Sequence, residues 1–407
     1  MQDRALRLGV DGWKLDGAAT LFGFRYLGIP FFYGRAYSGV ITTRRYMDLY
    51  YRLEYEYGRS RNPEFVTLVR GIDRSYIHPE GFAPIDAAPV VWVGDQVHAW
   101  SGKEAEGEAG PEVIGGKRGL KEAIKDILLS AKLGYCVVGT DVAGFSGKTI
   151  PPRLYIRWAQ FATFCGLFLN GGHGERRLWL RSQQELEIIR KFSWLHTELV
   201  PYMYSYVVQC HRGGEPLQRP LGRDFQYMFG DYLLVAPIFR DVEQWTVRLP
   251  KGRWYYFFND SLVFDGPQEV TMSVPLDQYP VFVRGGAIVP VAVQRPYTGL
   301  GDEESAGFTT LLIYPEGVSE FQLALPDGKG EITIQVRETQ GELAIDLNGA
   351  RVPHILRVHL DHPPRSVFLD GEELPAGVRW RYDSAHCKLI VRTPQYDRGE
   401  YRVSLAD

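Results

Sequence analysis

LGVDGWKLD, residues 8–16, decides how the rest of the chain is read. Val10, Trp13 and Leu15 favour extended backbone, and Gly12 lets another main chain come close. The stretch is predicted to be a short buried strand over 8–15 that ends on a carboxylate, Asp16. Gly17-Ala18-Ala19 then turns the chain away. Alternating strand and helix patterns follow, and α/β chains of that kind place their chemistry at the C-terminal tips of strands. A second apolar run, VVWVGDQVHAW (90–100), meets a carboxylate in the same way at Asp95. Either Asp alone reads as an ordinary turn carboxylate, but together they form a candidate pair.

Composition narrows the class. At 407 residues the chain is too long for one ordinary core and suits two or three domains. With 45% hydrophobic and 23% charged residues it reads as a soluble globular protein. A net charge of -3 leaves no basic footprint, so no nucleic acid is expected as partner. No apolar run reaches the roughly 18–20 residues that span a bilayer, so no membrane is expected either. The opening MQDRALRLG lacks the apolar segment of a secretion signal. Cys136, Cys165, Cys210 and Cys387 are scattered and read as buried free thiols, as in a cytoplasmic protein. Aromatics reach 13%, which suits both β-rich cores and the faces of sugar rings.

Along the chain, residues 1–222 alternate apolar runs with helical patterns, the mark of βα units. Helices are predicted over 43–57, 121–132, 153–165 and 183–209, the last bent or broken near Pro201. Strands are predicted over 65–69, ending at Arg70, over 90–93, and over 135–138, leading into Gly139-Thr140-Asp141. Phe168-Leu169-Asn170 is a further tip, followed by GGHG. From 223 onward short strands lie between Gly and Pro turns, a β-sandwich texture, with one division near 222 and another near 292. The fold class is therefore α/β plus all-β, with domains over 1–222, 223–292 and 293–407.

Taken in order, GVDGWKLD, WVGDQVHAW, GTDVAGF (139–145), NGGHGERRLW (170–179), LHTELVPYMYSY, GDYLLVAPIF, LPKGRWYYFF and VFVRGGAIVP form a specific series. It resembles glycoside hydrolase family 31, the α-glucosidase and α-xylosidase family, over about residues 8–292. The resemblance implies the C-terminal part of a (β/α)8 TIM barrel, about strands four to eight, followed by two β-sandwich domains. It implies that Asp16 is the nucleophile, Asp95 the general acid/base and His173 a substrate-binding residue, with GTDVAGF at the mouth of the site. Two departures stand out. The family's N-terminal sandwich and early barrel strands are absent from these residues, and its familiar Asn-Glu or Gly-Glu after the nucleophile is here Gly17-Ala18.

Retaining glycoside cleavage needs two carboxyl groups about 5–5.5 Å apart, one ionised to attack the anomeric carbon and one protonated to release the leaving oxygen. Two like charges that close oppose each other's ionisation, which would keep Asp95 as the acid. Arg70 is a candidate for pairing with the nucleophile or a sugar hydroxyl, with Arg74 competing for that place. Asp141 is expected to accept from sugar hydroxyls, brace Arg70 or cap its loop. His173 is a candidate donor to a sugar hydroxyl; Trp13, Trp92 and Phe145 are candidates for the pocket wall or for core packing. No spacing calls for a metal or a nucleotide, so neither metal nor cofactor is expected. An α-transglycosylase would use the same residues. The reading from another class is an incomplete half-barrel that only binds carbohydrate, or that needs a partner chain with the N-terminal half or a homo-oligomer. The substrate expected is an oligosaccharide or small α-glycoside. In 293–407, Trp380 and Tyr382 read as sandwich core rather than a glycan site.

Overall fold

A computed structural model describes residues 2–16, 24–26, 29–31, 33–71, 83–104, 118–222, 224–394 and 399–405. Arg74, Gly17-Ala18 and most of the Gly- and Glu-rich segment 101–119 lie outside the described residues. The chain divides into two compact units. The first holds Met1–Leu186, Gln218–Pro220 and Phe239–Asp241, and the second holds the remainder.

The first unit is built on five parallel strands. They are β1 (Gly12–Leu15), β6 (Val66–Arg70), β7 (Val90–Trp92), β8 (Val138–Asp141) and β9 (Leu167–Leu169), adjacent in that order. Between β1 and β6 come two hairpins, β2 (Phe24–Tyr26) with β3 (Ile29–Phe31), and β4 (Tyr33–Ala36) with β5 (Gly39–Thr42). The short β10 (Gln218–Pro220) also belongs to this unit. Gly12 behaves as its sequence suggested: a Cβ there would meet the Val66 carbonyl oxygen at 2.2 Å, so only glycine lets β1 approach β6. The strand is shorter than expected, however. Gln2–Arg7 is a helix, Gly9 ends it with φ +86°, and Leu8 and Val10 are exposed rather than buried.

Helices connect the strands where apolar periodicity placed them. In Thr43–Arg59, Thr42 Oγ1 accepts from the Arg45 N–H at 3.1 Å and satisfies one free amide of the first turn. In Leu120–Lys132, Glu122 reaches back to the Gly119 N–H at 2.9 Å, while Leu120, Ile124, Ile127 and Leu128 are buried. In Pro152–Thr163, proline occupies the first turn, where its missing N–H costs nothing. The pattern over 183–209 breaks at Leu199 into Gln183–Glu198 and Val200–His211, with Pro201 opening the second helix.

In the second unit, β11 (Tyr227–Phe229), β12 (Leu233–Val235), β13 (Gln244–Tyr256), β14 (Val263–Ser273) and β15 (Val281–Arg284) form an antiparallel sheet, ordered β11-β12-β15-β13-β14. Tyr202 of the helix Val200–His211 donates to the Phe229 carbonyl at 2.8 Å and stacks on Phe321. Two further sheets follow. One runs β16 (Ile288–Val291), β17 (Thr309–Ile313), β21 (His354–His359), β25 (Lys388–Thr393), β24 (Trp380–Asp383). The other runs β18 (Val318–Ala324), β19 (Glu331–Thr339), β20 (Glu342–Gly349), β26 (Glu400–Ser404), β22 (Ser366–Leu369), β23 (Glu372–Glu373). Strict alternation buries Ile332, Ile334 and Val336 on one strand and Leu343, Ile345 and Leu347 on the next. His354 of the first sheet meets the Tyr401 hydroxyl of the second at 2.5 Å, and burial holds its pKa down at about 4.

The thiol expectation is corrected for two of the four cysteines. Cys136 and Cys210 are disulfide-bonded, while Cys165 is buried and free and Cys387 is half-buried and free. Disulfides persist mainly in oxidising compartments, so the thiol pattern no longer supports a cytoplasmic reading. Among the described residues, no helix is long and apolar enough to cross a membrane.

One buried acid in the second unit makes stability depend on pH. Glu198 is fully buried; it accepts from the Thr298 hydroxyl at 2.6 Å, and its other oxygen is unpartnered among the described residues. Burial pushes its pKa up to about 7. A raised carboxyl pKa means that the folded state holds a proton the unfolded state has released. The contribution to stability is therefore full below about pH 4.5 and is lost as pH rises through about 7, worth up to about 3 kcal/mol. Glu198→Gln is expected to flatten that part of the profile of Tm against pH and to raise Tm at pH 8. An unchanged slope between pH 5 and 8 would contradict this.

Candidate active site

The strand register brings Asp16 beside Arg70. Leu15 of β1 pairs with Val69 of β6, so the next residue on each strand emerges at the same level. Arg70 Nε donates to Asp16 Oδ1 at 2.7 Å and Nη2 to Asp16 Oδ2 at 3.0 Å, a two-pronged pair. The same Nη2 donates to Asp95 Oδ2 at 3.1 Å. Those two bond lengths cap the separation of the two carboxylate oxygens at about 6 Å. A single cation thus stands between the two acids and offsets their repulsion. Asp16 retains 43% side-chain exposure, Asp95 23% and Arg70 16%, so the acids face open space while the arginine lies between them.

Trp92, at the end of β7, is fully buried beneath two cations. Arg70 lies over its ring at 5.0 Å and Lys14 Nζ at 4.0 Å. It therefore backs Arg70 instead of walling a pocket, with each contact worth on the order of 1 kcal/mol. Trp13 points elsewhere, packing edge-on against Phe65 with ring centres 4.5 Å apart. This is the core-packing alternative for Trp13.

Asp95 is held by a loop joined to its neighbour. Gly94 has φ +82°, and the chain after it runs against the loop that follows β8. Phe145 and Ser146 both donate backbone N–H groups to the Gln96 carbonyl, and His98 N–H donates to the Ser146 carbonyl at 2.9 Å. The Gln96 side chain donates to the Val93 carbonyl and accepts from Thr140. Ala143 takes φ 66°, unusual for a residue with a side chain, and Gly144 follows at φ +82°. A Cβ at Gly144 would lie 2.9 Å from the Val97 carbonyl oxygen, so the joint between the loops requires glycine.

The second part of the site is a buried ion pair. Asp141, at the tip of β8, accepts from Arg176 Nη1 at 2.9 Å, and both residues are 2% exposed. The expectation that Asp141 braces Arg70 is corrected here, since its cation is Arg176. Burial pushes the Asp141 carboxyl above its usual range; Arg176 and Lys14 pull it down and Asp95 pushes it up. Its second oxygen is buried and unpartnered among the described residues.

Arg176 Nη2 also lies 3.0 Å from His173 Nδ1. Guanidinium only donates, so Nδ1 accepts and the ring proton sits on Nε2, which donates to the Phe145 carbonyl at 3.2 Å. Both His173 nitrogens are therefore engaged, and its Nε2–H must exchange partners before it can donate to a ligand. Phe145 packs on His173 with ring centres 4.8 Å apart, lies under Arg176 at 5.2 Å and remains 38% exposed. Asp16, Arg70 and Asp95 thus meet directly. Asp141, His173 and Phe145 meet through Arg176, which sequence reasoning did not single out. Its only signal was its place three residues after His173 in GGHGER.

Residues 1–206 match the Glycosyl hydrolases family 31 TIM-barrel domain, and residues 214–289 match the Glycosyl hydrolase family 31 C-terminal domain. The chain belongs to glycosyl hydrolase family 31. Among family 31 relatives, it is 31% identical over 274 residues to human (Homo sapiens) Neutral alpha-glucosidase AB, a match covering 63% of this chain and 27% of that protein. It is 30% identical over 191 residues to an Alpha-xylosidase of Emericella nidulans, covering 42% of this chain and 24% of that one. Among solved structures, it is similar to the Cycloalternan-forming enzyme from Listeria monocytogenes, with TM-score 0.80 and 22% identity over 99% of this chain and 39% of that one. The chain spans about a quarter of the length of these two curated relatives.

Proposed function

We propose that the chain supplies the two carboxyl groups of a retaining α-glycoside hydrolase. The observation that carries this is Arg70 Nη2, which touches Asp16 Oδ2 and Asp95 Oδ2 together and caps the distance between those two oxygens at about 6 Å. Retaining pairs stand about 5–5.5 Å apart and inverting pairs about 6.5–9.5 Å, and one arginine nitrogen shared by an oxygen of each acid supports the retaining reading. Asp16, the more exposed acid, attacks the anomeric carbon while that carbon's bond to the leaving oxygen breaks. Asp95 gives its proton to that oxygen. Water then attacks the same carbon and displaces Asp16, and Asp95 takes the proton of the water. Arg70 stays paired with Asp16 through Nε and Nη2 while Asp95 gives and regains the proton.

In this reading, β1, β6, β7, β8 and β9 are the fourth to eighth strands of a barrel over 1–222, followed by sandwich domains over 223–292 and 293–407. His173 and Phe145 line the approach of an α-linked saccharide, and the buried Asp141 acts behind them by holding Arg176. The relatives named as an alpha-glucosidase and an alpha-xylosidase support an α-glycoside as substrate.

The test is turnover of aryl α-glucoside, α-xyloside, α-galactoside and α-sulfoquinovoside by the purified protein, with the first-formed anomer read by proton NMR. One substrate turned over to its α-anomer is the expected result. A first-formed β-anomer would overturn the reading. No turnover of any substrate by a folded chain would favour the incomplete barrel that needs a partner chain or only binds carbohydrate.

A further inference from the structure

One sheet of the second unit carries arginines in a pattern that invites an anion. β21, β25 and β24 are neighbours, and their register aligns Arg357 with Ile390 and Ile390 with Arg381. One step along, Ile355 aligns with Arg392, whose N–H donates to the Arg379 carbonyl. Side chains alternate along a strand, so Arg357, Arg381 and Arg392 share one face. Leu356, Val358, Leu389 and Val391 take the opposite face and are fully buried, so the arginine face is the outer one. Arg357 and Arg381 flank Ile390 from either side and repel each other through space.

The arginines and Arg379 line a groove of about 200 Å³ whose carboxylates, among the described residues, are Asp302 and Glu304. Those two acids face four arginines, Arg357, Arg379, Arg381 and Arg392, so the lining keeps an excess of positive charge. Glu304 is held by Arg392, through a side-chain contact of 2.8 Å and a main-chain contact of 2.7 Å. Asp302 accepts from the Ser305 hydroxyl at 3.2 Å. Among the described residues, Arg357, Arg379 and Arg381 have no ion pair and no side-chain hydrogen bond. Asp260 and Asp383 reach Arg357 only through space, since Lys388 and Tyr314 hold the first and His386 the second. Arg357 is half-buried, and repulsion from Arg381 adds to the cost of its charge.

We propose that this groove binds an oxyanion, a sulfate, phosphate or carboxylate group, between the guanidinium groups of Arg357, Arg379 and Arg381. Planar guanidinium forks match such groups two bonds at a time. The shared chemistry has two sources: a free inorganic anion, or the same group carried on an acidic saccharide. The proposal stands independently of the carboxylate pair in the first unit.

The test compares the full chain with Arg379→Gln/Arg381→Gln, whose side chains are exposed, and with Arg357→Gln as a second variant. Each is titrated with sodium sulfate, sodium phosphate, glucose 6-sulfate and glucose 6-phosphate, with ionic strength held constant by chloride. Binding is followed by calorimetry and by Tm. The difference between parent and variants isolates the groove from any saccharide site elsewhere. Saturable binding by the parent, weakened roughly 10-fold or more in both variants, is the expected result. In oxyanion-free buffer the double variant is expected to melt no lower than the parent, because it removes repulsion. Tighter binding of the sugar esters than of the inorganic ions would assign the saccharide source, and equal affinity the free anion. Absence of saturable binding, or equal Tm gains in parent and both variants, would overturn the proposal.

Discussion

Asp16→Ala is expected to lower turnover of an aryl α-glycoside by roughly 10⁴-fold or more, the scale on which loss of a covalent nucleophile acts. Azide is expected to restore part of it. The stereochemistry of the azide product distinguishes the two acids. With Asp16 removed, azide attacks once from the vacated face and yields the β-glycosyl azide. With Asp95→Ala, the glycosyl-enzyme still forms from a substrate with a good leaving group, and azide displaces Asp16 to give the α-glycosyl azide. The Asp95→Ala loss is therefore expected to grow as the leaving group becomes less acidic, over the roughly 10²–10⁴-fold range of general acid catalysis. In either variant Arg70 keeps the other acid as partner, so the fold should be retained. Turnover by Asp16→Ala within about 10-fold of the parent would remove it from the nucleophile role.

The largest expected effect on stability comes from Arg176→Met. Arg176 and Asp141 are each 2% exposed, so deleting the guanidinium strands a buried carboxylate. Breaking one side of such a pair costs about 3–5 kcal/mol. The loss should depend on pH with a definite sign. Asp141 already sits above its usual range because of burial, and Arg176 is the first of the influences holding it down. Without Arg176 its folded pKa rises further, so the variant becomes less stable relative to the parent as pH rises through that value. Urea unfolding at pH 5 and pH 8 should show the larger deficit at pH 8. Adding Asp141→Asn should recover much of the difference, because it removes the charge that needed a partner. Equal deficits at both pH values would mean that packing, not charge, sets the cost.

What could be read from the chain alone depended on whether a residue's partner was implied by local pattern. Asp16, Arg70 and Asp95 each follow a recognisable apolar run, and strand tips in a parallel sheet meet at one end, so their meeting follows from strand pattern and parallel pairing. Arg176 was not legible, because it ends the short turn Gly174–Arg176 while Asp141 lies on β8, and nothing near Arg176 announces its burial. The same limit applies to Cys136 and Cys210, whose bonded state carries no local signature. Trp13 and Trp92 each stand three residues before a candidate acid, yet one packs on Phe65 and the other lies under Arg70. Proximity along a strand does not reveal which face a side chain takes. Leu8 and Val10 misled for a related reason: they are apolar, but the helix Gln2–Arg7 and the turn at Gly9 leave them exposed.

The joint at Gln96, Phe145 and Ser146 bears on how such a site can change over evolution or by engineering. Loops at the ends of parallel strands are often treated as separate modules, each replaceable without regard to the next. Here the loop that carries Asp95 has no independent shape, since the neighbouring loop supplies its bonding partners and fits a glycine into the space left for it. Residues 94–100 and 139–147, with the 118–121 stretch that also bonds to the main chain of 97–100, therefore form a single heritable cassette. A graft of any one segment alone would misplace the acid, whereas a graft of all three would carry its position along.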